Sequence, residues 1–377
     1  MDAGHRLIST ILRHDAKQTS YKIALLRAIN DIALSYPDLR EQDRDIAIPV
    51  RYLAQFWLAY YWPFIDDDQP ILQGARTLRD GVLRHDLSFR PALTELKRQW
   101  RALYGKARAA DGFVLIHDLK LPRKRQGYAP AFLELYDRAV RAIMQAVQQP
   151  VQYAGAGSWS IFVRPQRLAR LTHVTPVPGA LLTDVCLVVT SALWRSFQEL
   201  SLWIEALCVH EWCLFTERVD QLTPVSRGSV YTLLTERPDN RRPLTWERNG
   251  IDLLMLEGQT FTCPWSFRAL TSEHYDLDHL VPLAIFPINE LWNLVPSDPK
   301  ANNLKRARLP SPGRWQAAAP HLTQAYRLYR QSAKLGPALN ADVTQRFSFA
   351  SQNPDALTGA VGDFITVLTQ GRNLPIF

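Results

Sequence analysis

The stretch from His274 to Leu309, HYDLDHLVPLAIFPINELWNLVPSDPKANNLKRARL, carries the pattern that decides the predicted fold. Alternation of polar and apolar residues predicts one strand from Tyr275 to Leu283 and a second from Leu291 to Val295. Serine, aspartate and proline at 297–299 are typical of a helix start, so a short, polar and basic helix is predicted from Pro299 to Arg308. The order is therefore strand, loop, strand and helix.

Three side chains of this stretch carry the chemistry that we consider first. Asp278 and His279 end up on the first predicted strand, and Asn302 lies on the predicted helix. A helix that packs across two strands can bring these side chains close together. The sequence therefore predicts a site that contains an imidazole and two oxygen donors.

The same stretch resembles the catalytic segment of HNH (ββα-metal) nucleases over about a tenth of the chain. Fourteen positions separate His279 from Asn293, and nine separate Asn293 from Asn302. HNH members with Asn as the last metal ligand, such as the HNH domain of RNA-guided DNA nucleases, have similar spacings. The matching positions are Asp276, Asp278, His279, Pro282, Asn293, Leu294, Asn302 and Lys305.

The resemblance implies hydrolysis of phosphodiester bonds with Mg²⁺ or Mn²⁺ as cofactor. A hard divalent cation takes oxygen ligands, which the carboxylate of Asp278 and the amide oxygen of Asn302 can supply. A neutral imidazole at His279 can take a proton from water as a general base. The ion would polarise the phosphate and stabilise the leaving oxygen.

Three further residues take supporting roles in this interpretation. By the resemblance, Asn293 holds the loop together and helps to orient His279. Lys305 lies one helical turn beyond Asn302, on the same face, from where it could contact phosphate. Asp276 precedes Asp278 by two residues and supports the ion or its waters.

A structural alternative applies to each of these residues when it is taken alone. An Asp-His pair is usually a surface pair or a satisfied core histidine. Asp276 is as compatible with a solvated strand residue as with a metal-supporting one. The joint spacing of Asp278-His279, Asn293 and Asn302 is what favours a catalytic site.

The chain is basic, with 44 Lys and Arg against 36 Asp and Glu and a net charge of +8, which suits a polyanionic partner such as DNA. The densest basic run, KLPRKR from Lys120 to Arg125, is predicted to be a loop that contains a proline. Such runs contact nucleic acid in some proteins, but in a larger number of proteins they only make a loop more soluble. The candidate phosphate-binding residues are Lys120, Arg123, Lys124, Arg125, Arg306 and Arg308.

The four cysteines do not form a metal-binding pattern. Many HNH proteins carry a Cys-x-x-Cys pair before the first strand and a second pair around the next strand. Here Ser266 occupies the position that would pair with Cys263, and the second pair is absent. We therefore expect no structural zinc and no disulfide framework.

The predicted fold class is α+β, mostly helical, with the small HNH unit near the C-terminus. We expect a helical recognition or regulatory region at 1–241, the nuclease domain at 242–312 and a helical extension at 313–377. An aromatic stripe from Tyr52 to Trp62 favours core packing over a platform for stacking bases. Residues 113–119 are predicted to form a strand.

The expected function is a metal-dependent DNA endonuclease whose products carry 5′-phosphate and 3′-hydroxyl ends. Analogy with other HNH proteins that carry large helical additions indicates a bacterial restriction or anti-phage effector. Two alternatives remain: a nucleic-acid-binding subunit whose nuclease is silent until a partner protein or ligand binds through residues 1–241, and a nuclease for structured RNA. Without a signal peptide or a membrane span, the expected location is the cytoplasm.

Overall fold

Helices account for most of the chain in the computed structural model, as the sequence predicts. The structure describes residues 3–13, 15, 17–39, 43–66, 69–76, 78–79, 82–83, 85–236, 244–283, 289–347, 353–372 and 374–377. The chain forms two compact units. Unit 1 comprises residues 1–120 and 124–238, and unit 2 comprises residues 121–123 and 239–377.

Unit 1 is helical and contains a small mixed sheet. Its helices are α1 (Ala3–Arg13), α2 (Tyr21–Ser35), α3 (Val50–Tyr61), α4 (Arg90–Tyr104), α5 (Asp111–Lys120), α7 (Pro130–Tyr153), α8 (Ser191–Glu199), α9 (Ser201–Arg218) and α10 (Arg227–Thr235); the short α6 (Pro122–Arg125) includes residues of both units. Its strands are β1 (Asp45–Pro49), β2 (Leu78–Arg79), β3 (Val82–Leu83), β4 (Gln166–Arg167), β5 (Val174–Pro176) and β6 (Val185–Val189). The sheet order is β4-β6-β1-β5, in which β1 pairs parallel to β5 and antiparallel to β6.

Aromatic residues fill the core of unit 1. The side chains of Trp57, Tyr61 and Trp62 are fully buried, and Tyr52 and Tyr60 are nearly so. Their rings pack against other buried rings, as for Trp57 on Tyr21 and for Tyr61 on Trp212. The stripe therefore belongs to the hydrophobic core, as expected, and does not offer a surface on which bases could stack.

Two local predictions for residues 113–125 were wrong. Residues 113–119 were expected to form a strand, but they lie in α5, which buries Phe113, Ile116 and Leu119 on one helical face. Short apolar runs fit either element, and only packing decides between them. The run KLPRKR was expected to be a loop, but Pro122 begins α6, in keeping with the preference of proline for the first helical turn.

Unit 2 contains α11 (Thr245–Leu256), β7 (Asp276–His279), β8 (Leu294–Ser297), α12 (Pro299–Lys305), α13 (Pro312–Gln331), α14 (Leu335–Phe347) and α15 (Pro354–Arg372). A single hydrophobic core joins the strand region to the three last helices, so residues 313–377 pack as part of the same unit. Tyr326 and Tyr329 of α13 donate hydrogen bonds to the carbonyls of Trp292 and Leu294, at 2.5 and 2.9 Å. α13 thereby fixes the backbone at the start of β8.

In the part of the chain that the structure describes, no helix combines the length and the apolar character needed to cross a membrane.

Candidate active site

The site forms where α12 lies beside the antiparallel pair β7 and β8. Their register places Asp276 opposite Ser297 and Asp278 opposite Val295. Because side chains alternate along a strand, Asp276 and Asp278 share one face of this pair. A 3₁₀ turn at Leu291–Asn293 precedes β8, so the second strand begins later than predicted.

The start of α12 is fixed by its cap. The carboxylate of Asp298 accepts hydrogen bonds from the backbone amides of Lys300 and Ala301, at 2.9 and 3.1 Å. Pro299 occupies the first turn, where its missing N–H leaves no unsatisfied donor. The cap sets the helical register that determines where Asn302 and Lys305 lie.

Asn302 meets Asp276 directly. Its amide nitrogen donates to the Asp276 carboxylate at 3.0 Å, which leaves the amide oxygen of Asn302 as an acceptor. Both side chains are partly exposed. Ser297, across the strand pair from Asp276, has a buried hydroxyl with no hydrogen-bond partner among the described residues. A carboxylate, an amide oxygen and a hydroxyl are all oxygen donors, so this donor set suits a hard divalent ion.

Asp278 lies deeper, with 5% of the residue exposed. One carboxylate oxygen accepts from the indole N–H of Trp265 at 2.8 Å, and the other accepts from the Lys305 ammonium at 3.0 Å. Burial raises the pKa of Asp278 above its ordinary value, and the nearby ammonium opposes that shift. A carboxylate has about four acceptor positions, so two remain for other partners.

Lys305 differs from the sequence expectation of a phosphate contact. It is 1% exposed, and its ammonium also donates to the carbonyl of His279 at 2.5 Å. The helical spacing from Asn302 predicts its face correctly but not its depth. In this structure Lys305 is an internal counter-charge for Asp278 and ties α12 to β7.

His279 has a polar partner that the sequence did not indicate. Its Nε2 lies 2.8 Å from the side-chain oxygen of Asn289. Since an amide oxygen only accepts, Nε2 carries the proton in this pair and Nδ1 is left with the lone pair. Burial lowers the pKa of His279, which favours the neutral form that a general base requires.

Asn293 holds the loop after β7. Its side chain accepts from the amide of Val281 at 2.8 Å and donates to the carbonyl of the same residue at 3.0 Å. This two-way contact ties Asn293 to the backbone of Val281. The contact to the His279 ring comes from Asn289 instead. Residues 284–288 of this loop lie outside the described part of the chain.

The turn around Cys263 supplies Trp265 to the site. The Cys263 sulfur accepts hydrogen bonds from the backbone amides of Trp265 and Ser266, both at 3.4 Å. The backbone amide of Cys263 donates to the backbone carbonyl of Arg268 at 2.8 Å. Phe267 completes the turn with φ +60°. The Cys263 thiol therefore organises the turn through hydrogen bonds. The turn in turn places the indole N–H of Trp265 within hydrogen-bond distance of Asp278.

Among the described residues, no group of three or more His, Cys, Asp and Glu side chains could hold a metal ion. The predicted ligand set differs in kind, because it combines carboxylates with the amide of Asn302. That set depends on the direct contact between Asn302 and Asp276.

The basic residues of the KLPRKR run are engaged within the protein. The Lys120 ammonium lies 5.9 and 5.6 Å from the rings of Tyr52 and Phe56. Lys124 pairs with Asp118 at 3.2 Å.

Arg125, which is 39% exposed at its side chain, approaches Asp137 at 3.6 Å. Arg123 departs furthest from the expectation of a phosphate contact. Its side chain is 10% exposed and forms ion pairs with Glu247 and Asp342 at 3.2 and 2.9 Å. An arginine held between two buried carboxylates is unavailable to DNA.

Arg306 and Arg308 follow α12. The Arg308 guanidinium bonds to the carbonyls of Lys305 and Leu304 at the end of the helix. Arg306 is exposed and takes φ +52° and ψ −139°, a conformation that residues with a Cβ rarely adopt. Of the six candidate phosphate-binding residues, Arg306 is thus the one most accessible beside the site.

Replacing Arg306 with glycine should stabilise the protein by about 1 kcal/mol, because glycine removes backbone strain of roughly 1–3 kcal/mol at the cost of a more flexible unfolded chain. The same change should weaken DNA binding if the guanidinium contacts phosphate. Urea unfolding and DNA titration measure the two effects. Arg306→Ala is the control, since it removes the charge but keeps the strain. Equal stability of the glycine and alanine variants would contradict the assignment of strain.

Comparison with protein families defines the class of the site. The family described as HNH endonuclease matches residues 264–311, a range that includes β7, β8 and α12. Unit 2 therefore carries an HNH endonuclease domain, which supports nuclease activity and implies a nucleic-acid substrate. HNH nucleases typically use divalent metal ions.

The remainder of the chain has its own family. The family described as domain of unknown function (DUF8808) matches residues 2–234, more than half of the chain, and the protein belongs to that family. No curated protein and no solved structure gave a match.

Proposed function

We propose that the protein is an endonuclease that hydrolyses DNA phosphodiester bonds with Mg²⁺ or Mn²⁺. The observation that carries the proposal is the arrangement on β7, where Asp276 contacts Asn302 and the imidazole of His279, at the end of the strand, is oriented by Asn289. The match of the HNH endonuclease family to the same residues supports it.

Each residue has a distinct task in this proposal. Asp276 and Asn302 would hold the ion through oxygen atoms, and Asp278 would add an acceptor that Trp265 and Lys305 leave unoccupied. His279 takes a proton from the attacking water at Nδ1. An ion held there would supply Lewis-acid stabilisation of the phosphate and leaving oxygen.

Lys305 and Asn293 act on this arrangement without contacting DNA. Lys305 holds Asp278 and the backbone of β7 in place. Asn293 keeps the loop after His279 closed on Val281. The products are expected to carry 5′-phosphate and 3′-hydroxyl ends, as in the family that the segment resembles.

The assignment of the ion to the Asp276 and Asn302 pair can be tested by metal titration. Asp276→Ala and Asn302→Ala should each raise the Mg²⁺ concentration needed for half-maximal plasmid cleavage by about 10-fold or more, since each removes an oxygen ligand. Asn303→Ala is the matched control, because Asn303 is the adjacent, exposed asparagine.

An unchanged Mg²⁺ dependence in Asn302→Ala would remove Asn302 from the ligand set. Wild-type protein that cleaves neither DNA nor RNA with Mg²⁺ or Mn²⁺ would contradict the proposed activity. Competition between DNA and RNA in the same assay decides between a deoxyribonuclease and a nuclease for structured RNA.

A second candidate function is a nuclease that stays silent until a ligand or partner binds unit 1. One observation favours it: unit 1 has a cavity of about 980 Å³ whose lining includes Arg13, Lys17 and Arg218. Burial lowers the pKa of the Lys17 ammonium, and the nearby carboxylates of Glu211 and Asp15 oppose that shift. Four acidic residues, Asp15, Asp86, Glu211 and Asp220, also line the cavity, so it suits a small polar ligand without selecting the sign of its charge.

Plasmid cleavage measured with the protein alone and with added cell or phage extract separates the two candidates. Activity of the protein alone favours the constitutive enzyme, and activity only with extract favours control through unit 1. We place the enzyme among bacterial restriction or anti-phage effectors by analogy with HNH proteins that carry large helical additions.

A further inference from the structure

Arg123 belongs to unit 2, although the chain before Leu121 and after Arg123 belongs to unit 1. Its guanidinium donates to the carboxylates of Glu247 and Asp342 and, at 2.8 Å, to the backbone carbonyl of Asn289. Asn289 lies 166 residues further along the chain. The site thus receives a contact from a distant segment of the sequence.

These contacts hold a short piece of backbone at two points. Arg123 binds the carbonyl of Asn289, and Asp342 accepts the amide of Leu291 at 2.8 Å. Arg123 and Asp342 are themselves joined by two hydrogen bonds of 3.0 and 2.9 Å. The backbone from Asn289 to Leu291 is therefore held at both ends by hydrogen bonds to the two members of one ion pair.

The segment from Asn289 to Leu291 also orients the imidazole of His279. The side chain of Asn289 contacts Nε2 of His279 at 2.8 Å, and this contact sets which nitrogen carries the proton. Asn289 is itself 6% exposed, so water has little access to substitute for it.

We propose that Arg123 is a positioning residue of the nuclease centre. It fixes the backbone of Asn289, and Asn289 in turn holds the His279 imidazole with Nδ1 free to accept a proton. Arg123 contacts neither DNA nor the reacting atoms. The inference rests on the proposed nuclease function and adds a residue that lies outside the region matched by the HNH endonuclease family.

A purely structural role is the rival explanation. Glu247 and Asp342 are 3% and 0% exposed at their side chains, so removing Arg123 alone leaves two buried carboxylates without a counter-charge. Arg123→Ala is then expected to unfold or aggregate for reasons unrelated to catalysis. A test must remove the contact to Asn289 without leaving uncompensated charge.

The triple variant Arg123→Met, Glu247→Gln, Asp342→Asn meets that requirement. It removes the three charges together and retains side-chain volume, and an asparagine oxygen at 342 can still accept the amide of Leu291. We expect thermal unfolding close to that of the wild type. We also expect kcat for DNA cleavage to fall about 10- to 100-fold with little change in KM, since a supporting contact is lost and no DNA contact is touched.

A readout that is independent of cleavage accompanies the rate. Nitrogen-15 NMR of histidine side chains in the metal-free protein reports the tautomer of His279, assigned by comparison with His279→Gln. The wild type should show the Nε2-protonated form, and the triple variant should show averaging between the two forms. Arg327→Ala, which removes an exposed arginine of α13 in the same unit, should match the wild type in rate and spectrum.

A triple variant that folds and cleaves at the wild-type rate overturns the inference, as does one whose His279 tautomer is unchanged. Failure of the proposed function looks different, because the wild type itself would then leave nucleic acid intact. The NMR comparison would still decide whether Arg123 orients His279.

Discussion

Replacing His279 with alanine should slow DNA cleavage by about 10²- to 10⁴-fold, the usual contribution of a general base. The imidazole is the titratable group on β7 whose pKa burial lowers and whose Nδ1 is free of the contact to Asn289. Alanine removes the base and leaves the ion pair of Asp278 with Lys305 intact. Single-turnover cleavage of a plasmid with saturating Mg²⁺ measures the effect.

His274→Ala provides the matched control, because it removes an exposed histidine from the same stretch of sequence. Its cleavage rate should equal that of the wild type. Circular dichroism and DNA binding of His279→Ala should also remain close to wild type. If His279→Ala cleaves within a few-fold of the wild-type rate, the imidazole is not the base and the proposed chemistry is wrong.

Replacing Lys305 with methionine should destabilise the protein by about 3–5 kcal/mol, the usual result of breaking a buried ion pair on one side. Lys305 and Asp278 are 1% and 6% exposed at their side chains, so little solvent is present to screen the remaining carboxylate. Urea unfolding measures the loss. The double variant Lys305→Met, Asp278→Asn should recover part of it, since no charge is then buried and Trp265 can still donate to the amide oxygen.

The stability loss of Lys305→Met should depend on pH. Burial already raises the pKa of Asp278, and removal of the ammonium removes the largest interaction that lowers this pKa. A carboxyl group whose folded pKa exceeds its unfolded pKa favours folding below the unfolded pKa, and that contribution is lost as pH rises through the folded pKa. The deficit should therefore be small in acid and grow toward neutral pH. A deficit that is constant with pH would show that packing, not charge, is what Lys305 contributes.

The sequence predicted the secondary structure around the site better than it predicted how deeply each side chain is buried. Alternation after Tyr275, the short strand at Leu291 and the helix-start signal at 297–299 were sufficient to expect a helix beside two strands, because local periodicity and caps determine such short elements. Lys305 was placed on the correct face of the helix, but its burial depends on Trp265, which comes from a different turn. Helical spacing predicts the face of the helix on which a side chain lies, whereas packing determines how deeply that side chain is buried.

Arg123 and Asn289 show what sequence patterns omit. A basic run has the same local appearance whether its arginines contact solvent, phosphate or buried carboxylates. The partners of Arg123 are separated from it by 124 to 219 residues, so no pattern within the run reveals them. Asn289 sits in an apolar stretch, where a single asparagine could have been flagged as a buried polar residue in need of a partner.

The assignment of Leu121 to Arg123 to unit 2 has a consequence for how the protein can be divided or recombined. A gene fragment that encodes residues 239–377 includes every residue matched by the HNH endonuclease family, yet its product would lack the guanidinium that neutralises Glu247 and Asp342. Exchange of this module between proteins by simple end-to-end fusion would therefore fail unless the new host supplied an equivalent cation. We therefore expect units 1 and 2 to be inherited together.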